Sequence, residues 1–254
     1  MTIRKISLSI VALGALCGAA VLSPKPLSGQ EFMGDFMFKP PRVTLSVNFG
    51  YGIPSAGSDI FQEVDELFTL DKGDFHAPVV GGGLSIYLND RVDLAFEFSY
   101  ARSSTWSEYV DWVDADDLPI EQETRFTQIP ITASVRYFLM DRGREIGSLS
   151  WIPTTWAPYI GIGGGQMLYR FEQVGDFVDF VDLSVFGASY YSKGSAWMGH
   201  AFGGVQWAFS PQLVMMAEGR YSLADADLDR NSYVGYEKID LSGFQASIGF
   251  GVRW

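Results

Sequence analysis

Histidine is the side chain best placed for acid-base work near neutral pH, and this chain has two, His76 and His200. His76 follows Asp74 and Phe75. His200 stands two positions before Phe202, with no serine in a His-x-Ser arrangement beside it. Hydrolysis by a nucleophile needs that nucleophile, its base and an orienting group within hydrogen-bond reach. The sequence offers no such set, so no catalytic residue is assigned. Asp225-Ala-Asp227-Leu-Asp229 resembles the start of a calcium loop, but Arg230 stands where glycine is required and no glutamate fills the twelfth position. It reads as a solvated loop, and no metal or other cofactor is expected. The remaining polar candidates are Asp93, Glu97, Arg136, Gln206, Glu218, Arg220 and Arg253, which acquire meaning only through the elements that carry them.

Those elements alternate with a period of two. From Phe244 onward, Phe244, Ala246, Ile248, Phe250, Val252 and Trp254 share one face, and Gln245, Ser247, Gly249, Gly251 and Arg253 share the other. Arg42 to Gly52 repeats the pattern with Val43, Leu45, Val47, Phe49 and Tyr51, and Val92 to Ala101 with Leu94, Phe96, Phe98 and Tyr100. Weaker copies run over Val79 to Leu88, Phe126 to Leu139, Tyr159 to Tyr169, Trp197 to Phe209 and Leu213 to Tyr221. With Ile239 to Trp254 this predicts eight strands. Asn89-Asp90-Arg91 and Ser210-Pro211-Gln212 are compact turns, whereas Ile53 to Pro78, Arg102 to Arg125, Arg170 to Ala196 and Ser222 to Lys238 are long connections. Short turns at one end and long loops at the other describe an outer-membrane barrel, periplasmic and extracellular respectively. A soluble β-sandwich is the alternative, and the loop asymmetry argues against it. The connection from Met140 to Ala157 is longer than an inner turn should be, and its Trp151 and Trp156 are expected at the inner aromatic girdle.

Strand parity places Asp93, Glu97, Arg136, Gln206, Glu218, Arg220 and Arg253 in the lumen, with Glu97 and Arg136 positioned to pair across the ladder. An eight-stranded barrel has an interior only wide enough for side chains, which favours a plug. The alternative is a selectivity filter or proton path.

The long connections carry periodicity of their own. Asp59-Ile-Phe-Gln62 has capping-box spacing and is followed by Val64, Leu67 and Phe68 at helical intervals. Thr105-Trp-Ser-Glu108, with Trp106, Tyr109, Val110 and Val113, predicts a second short helix. Loop three adds Phe177 and Phe180 among seven apolar positions up to Phe186, more than should face water. Phe61, Leu67, Phe68, Trp106, Tyr109, Phe177 and Phe180 are therefore expected to form an apolar cap. It packs on itself over the barrel mouth, or it meets the outer leaflet or a small hydrophobic ligand.

The N-terminus supplies an export address. Arg4 and Lys5 precede an apolar run from Ile6 to Leu22 and then Ser23-Pro24-Lys25-Pro26, a signal peptide within residues 1–30 cleaved between about 20 and 30. Cys17, the single cysteine, falls inside it, so the mature chain is expected to carry no thiol. Residues 31–41 then form a periplasmic segment and 42–254 the barrel domain. The chain has 28 glycines and 15% aromatic residues, and its mean hydropathy is only slightly positive, as expected when lipid-facing and lumen-facing residues cancel. The net charge of -12 comes largely from the long loops. Such an acidic crown excludes nucleic acid as a partner. It would repel lipopolysaccharide unless divalent cations bridged the two, and its simplest role is loop solubility.

Three stretches together resemble the small outer-membrane β-barrel family of OmpX, OmpA and OmpW type: IPITASVRYF at Ile129 to Phe138, PYIGIGGG at Pro158 to Gly165, and IDLSGFQASIGFGVRW at Ile239 to Trp254. With AEGRYS from Ala217 to Ser222, the resemblance spans most of Arg42 to Trp254. It implies an eight-stranded antiparallel transmembrane barrel in a Gram-negative outer membrane, surrounded by lipid and lipopolysaccharide. It also implies insertion by the barrel-assembly machinery through the aromatic terminus, Trp254. Unlike OmpA-type proteins, the chain has no segment after Trp254, which implies no peptidoglycan-binding role. The family includes structural, adhesive and transport proteins, so the resemblance bears on fold more than on function. The expected role is structural or in surface interaction. The alternatives are an OmpW-like conduit or binder for small hydrophobic molecules, and a lipid-modifying enzyme at the membrane rim.

Overall fold

The computed structural model describes residues 36–114, 116–147, 150–230, 232–236 and 238–254. The signal-peptide assignment lies outside these residues. Eight strands close into one antiparallel ring: β1 (Val43–Pro54), β2 (Ala77–Asn89), β3 (Val92–Val113), β4 (Pro119–Phe138), β7 (Trp156–Val178), β8 (Val185–Ala208), β9 (Leu213–Asp227) and β11 (Gly243–Arg253). Closure is made by β11, which pairs with β9 on one side and with β1 on the other; Thr44 faces Arg253 and Pro54 faces Gly243. No edge of the ring is left unpaired, the condition for placing a sheet in hydrocarbon.

Parity decides what each strand shows to its surroundings. Val47, Phe49, Phe96, Phe98, Ile162, Ile248 and Phe250 point outward and are exposed, while Ser46, Ser85, Asp93 and Ser134 point inward and are buried. An apolar outer face of this extent has no counterpart on a water-soluble monomer and fits a lipid environment. Trp156 and Trp207, opposite one another in the ladder, and the terminal Trp254 lie exposed near the short-turn end.

Strands at the other end continue far past any lipid. β7 has 23 residues and β8 has 24, whereas about 9–11 tilted residues cross a bilayer. Much of what reads as loop is thus strand. In particular, the helix expected around Trp106 to Val113 is absent, because β3 runs unbroken to Val113. Apolar residues at 106, 109, 110 and 113 have the i, i+3, i+4, i+7 spacing of a helix, but pairing with β4 from Ala101↔Gln128 to Glu108↔Glu121 makes the segment strand, which sends Trp106 and Val110 outward and Tyr109 inward.

The helix expected near Asp59 does form, as α1 (Asp59–Leu67), but Ser58 rather than Asp59 is its N-cap residue. A short 3-10 turn, Lys72–Phe75, follows. At the opposite end the long connection folds as a hairpin of β5 (Gly143–Ile146) and β6 (Ser150–Pro153). The last element, β10 (Lys238–Asp240), pairs with the end of β9.

Candidate functional site

The barrel interior is filled in three layers. At the short-turn end the β5–β6 hairpin folds in. Trp151, 1% exposed, is part of the interior and not of the girdle. Its main chain exchanges hydrogen bonds with Met37 (2.7 and 2.9 Å), so residues just before β1 hold the hairpin in place. The Arg253 guanidinium lies over the indole, 5.0 Å from the ring centre. Arg142, at the foot of the hairpin, donates to Asp93 at 2.8 Å and to the Asn89 carbonyl at 3.0 Å, and it stacks between the rings of Phe138 and Tyr87. Sequence reasoning passed over Arg142 and put Trp151 at the girdle because both sit in what reads as a turn, where strand parity gives no direction.

The middle layer is an ion-pair network. Arg220 on β9 donates to Glu97 on β3, and to Glu218 at 2.8 Å. Arg136 on β4 lies 3.5 Å from Glu97 and 3.6 Å from Glu218. Tyr159 completes Glu218 with a 3.0 Å hydrogen bond, and its ring lies under the Arg136 guanidinium. Two guanidinium groups thus balance two carboxylates. Glu97 and Arg136 do not meet directly across the ladder: Glu97 faces Thr132 and Arg136 faces Asp93, and the long arginine reaches diagonally. Of the seven lumen candidates, Glu97, Arg136, Glu218 and Arg220 form this network. Asp93 and Arg253 belong to the hairpin layer, and Gln206 is buried opposite Met216, outside both.

His200 has a partner that sequence did not show. Its Nε2 lies 2.9 Å from Ser134 Oγ. Ser134 on β4 and His200 on β8 each face Gly163 on β7, so the two side chains meet across a position that has none. A Cβ there would lie 2.5 Å from Ser134 Oγ and 2.8 Å from His200 Cε1. Finding the pair requires the register of three strands. It has the elements of a nucleophile and base, but it faces the lumen and not the lipid rim, and His200 Nδ1 has no orienting partner among the described residues. His76 stands at the rim, with its ring 6.0 Å from that of Tyr51.

The third layer closes the long-loop end. α1 lies across the mouth and buries Ile60, Phe61 and Val64. Phe61 makes edge-on contacts with Phe75, Phe126 and Phe171 at 4.8, 5.6 and 5.8 Å between ring centres. The helix is strapped at both ends, by Gly57 N to Asp240 Oδ2 (3.0 Å) and by Thr69 N to the Glu108 carbonyl (2.8 Å). Phe68 stacks on Tyr109, Phe177 is buried against Tyr190, and Leu67 packs at the margin of the core. Trp106 and Phe180 do not join this cap. They are 66% and 56% exposed, Trp106 because even-numbered positions of β3 face outward and Phe180 because it lies beyond the end of β7.

Between the cap and the ion pairs is a cavity of about 50 Å³, whose lining includes the polar Gln128, Arg220 and Gln245 and the apolar Val79, Met167, Met198 and Leu241. That is room for only a few water molecules, since each needs on the order of 10–15 Å³ by this measure.

A closed eight-stranded sheet, an apolar outer face and a filled polar interior define a small membrane β-barrel, the architecture of OmpX-, OmpA- and OmpW-type proteins. No protein-family profile matches the chain, and no curated protein matches it. Among solved structures, Neisserial surface protein A overlaps 88% of this chain and all of its own, at 14% identity and a TM-score of 0.45. Ail, the attachment invasion locus protein of Yersinia pestis, overlaps 85% of this chain and all of its own, at 12% identity and a TM-score of 0.45. The outer membrane protein AlkL overlaps 88% of this chain and 92% of its own, at 13% identity and a TM-score of 0.32. Overlaps this loose add nothing to the architecture that strand pairing already establishes.

Proposed function

We propose that the protein is an integral outer-membrane barrel of a Gram-negative cell, exported through a cleaved signal peptide, with a structural or surface-interaction role. The short turns face the periplasm and the long hairpins face outside. The observation that carries the reading is the double closure of the lumen, by Trp151 with Arg142 at one end and by α1 with its aromatic core at the other. With the interior filled by its own side chains, the surface left for partners is the protruding set of hairpins. Lipid and lipopolysaccharide surround the belt, and the strand ending in Trp254 is the one offered to the barrel-assembly machinery.

The test is expression in an Escherichia coli host, followed by fractionation, external protease and solute uptake. The reading expects outer-membrane recovery, cleavage of the hairpins from outside, and no gain in uptake. Uptake that rises with expression would count against it.

The second reading, a binder or conduit for small hydrophobic molecules, is favoured by one feature, the cavity whose lining includes Met167, Met198 and Leu241 beside Gly52, Ile53 and Phe244. It requires α1 to leave the mouth.

A further inference from the structure

The two longest hairpins join at their tips. The β3–β4 tip carries Trp112, Val113 and Leu118, and the β7–β8 tip carries Phe180, Val181 and Leu183; Trp112 and Phe180 meet edge-on at 5.8 Å between ring centres. The patch so formed faces water. Val181 is 94% exposed, Leu183 58%, and Val113 and Leu118 57% each. Leu183 also holds a left-handed backbone with φ 63°. Turn chemistry alone would put glycine or asparagine there, so this apolar side chain is displayed on a backbone that disfavours it.

The rim of the patch is acidic throughout. Asp111, Asp116 and Asp117 are exposed on one tip, Asp176 and Asp182 on the other. No lysine or arginine occurs between Arg102 and Arg125 or between Arg170 and Lys193. Glu108 and Glu121 stand directly opposite each other in the ladder, an arrangement that destabilises the hairpin. Ser184 donates to Asp182 at 3.0 Å and holds its carboxyl below the usual carboxylate range, so the tip stays charged.

The protein's own membrane is out of reach of this patch. At about 3.3 Å per residue and a tilt of about 40°, Val178 stands roughly 55 Å along the barrel axis from Trp156, some 30 Å beyond an apolar band about 25 Å tall. Anionic ligands are repelled by the rim. A water-soluble surface with both properties, apolar centre and acidic border, is complementary to one chemistry. We propose that the joined hairpin tips are a docking surface for a cationic amphipathic segment of a partner protein. This deepens the surface-interaction reading and rests on it.

The test uses the full-length mature protein in phosphatidylcholine nanodiscs, with empty nanodiscs subtracted, and a labelled peptide of alternating lysine and leucine as probe. The probe should bind, and raising salt from about 0.05 M to about 0.5 M should weaken it. D176N with D182N, and separately F180S with V181S, should each weaken binding about tenfold. D65N with E66Q on α1 removes the same charge elsewhere and should change nothing. Equal weakening by the α1 pair would show diffuse attraction and overturn the proposal. So would indifference to the apolar pair, equal binding of a glutamate-leucine probe, or capture of protein-free phosphatidylcholine vesicles by the tips. Every variant is checked for heat-dependent gel mobility. A folded barrel that ignores the probe sinks the docking surface alone, whereas a wild-type chain that never shows that mobility sinks the barrel reading.

Discussion

Trp151 and Arg253 stack at the inner end of the lumen, the guanidinium carbon 5.0 Å from the indole centre. One residue comes from a turn hairpin and the other from the last strand, so the contact ties the hairpin to the seam where β11 closes the ring. Trp151→Ala should remove a fully buried aromatic and cost about 3–5 kcal/mol. Urea unfolding of the protein refolded in vesicles, followed by gel mobility, should show the lower midpoint. An unchanged midpoint would mean that the hairpin is not packed as described.

Arg136→Gln leaves Glu97 and Glu218 facing one another with a single guanidinium between them. Breaking a buried network by removing one partner costs roughly 3–5 kcal/mol. The double variant Arg136→Gln with Glu97→Gln should lose less than the sum of its singles, by about 0.5–3 kcal/mol. Strict additivity in a double-mutant cycle would refute the network.

Gly163→Ala and Gly199→Ala form a matched pair on neighbouring strands. A Cβ at Gly163 would lie 2.5 Å from the Ala133 carbonyl oxygen and 2.5 Å from Ser134 Oγ, while a Cβ at Gly199 meets nothing within 4 Å. The first should cost about 1–3 kcal/mol by overpacking and the second almost nothing. Equal stability of the two variants in vesicles would contradict the register across β7.

Phe61→Ala should loosen the outer closure, at a cost of about 3–5 kcal/mol. Amides of residues 59–67 should then exchange faster with solvent, while those in the β1–β11 ladder keep their protection. Uniform loss of protection would mean that cap and barrel unfold as one unit.

Legibility in the sequence followed the physics of each segment. Where one face meets lipid and the other the lumen, alternation is strict, and β1, the first half of β3 and β11 are readable from Val47, Phe49, Phe98 and Phe250 alone. Beyond the lipid the outward face no longer needs to be apolar, so the outer halves of β3, β4, β7 and β8 read as loop. α1 is visible because Ile60, Phe61 and Val64 recur at helical spacing over a short acidic segment. Trp106 misleads because it shares helical spacing with Tyr109, Val110 and Val113, although cross-strand pairing makes the segment strand. The Ser134–His200 contact and the inward turn of Arg142 and Trp151 depend on tertiary register, which no local pattern carries.

The double closure is tested most directly by planar-bilayer recording on the purified, refolded wild-type chain. The account predicts no stable single-channel current across the voltage range the bilayer tolerates, and none from Trp151→Ala or Phe61→Ala alone, because the Glu97–Arg136–Glu218–Arg220 layer stays in place. A steady ohmic current through the wild-type protein would contradict it.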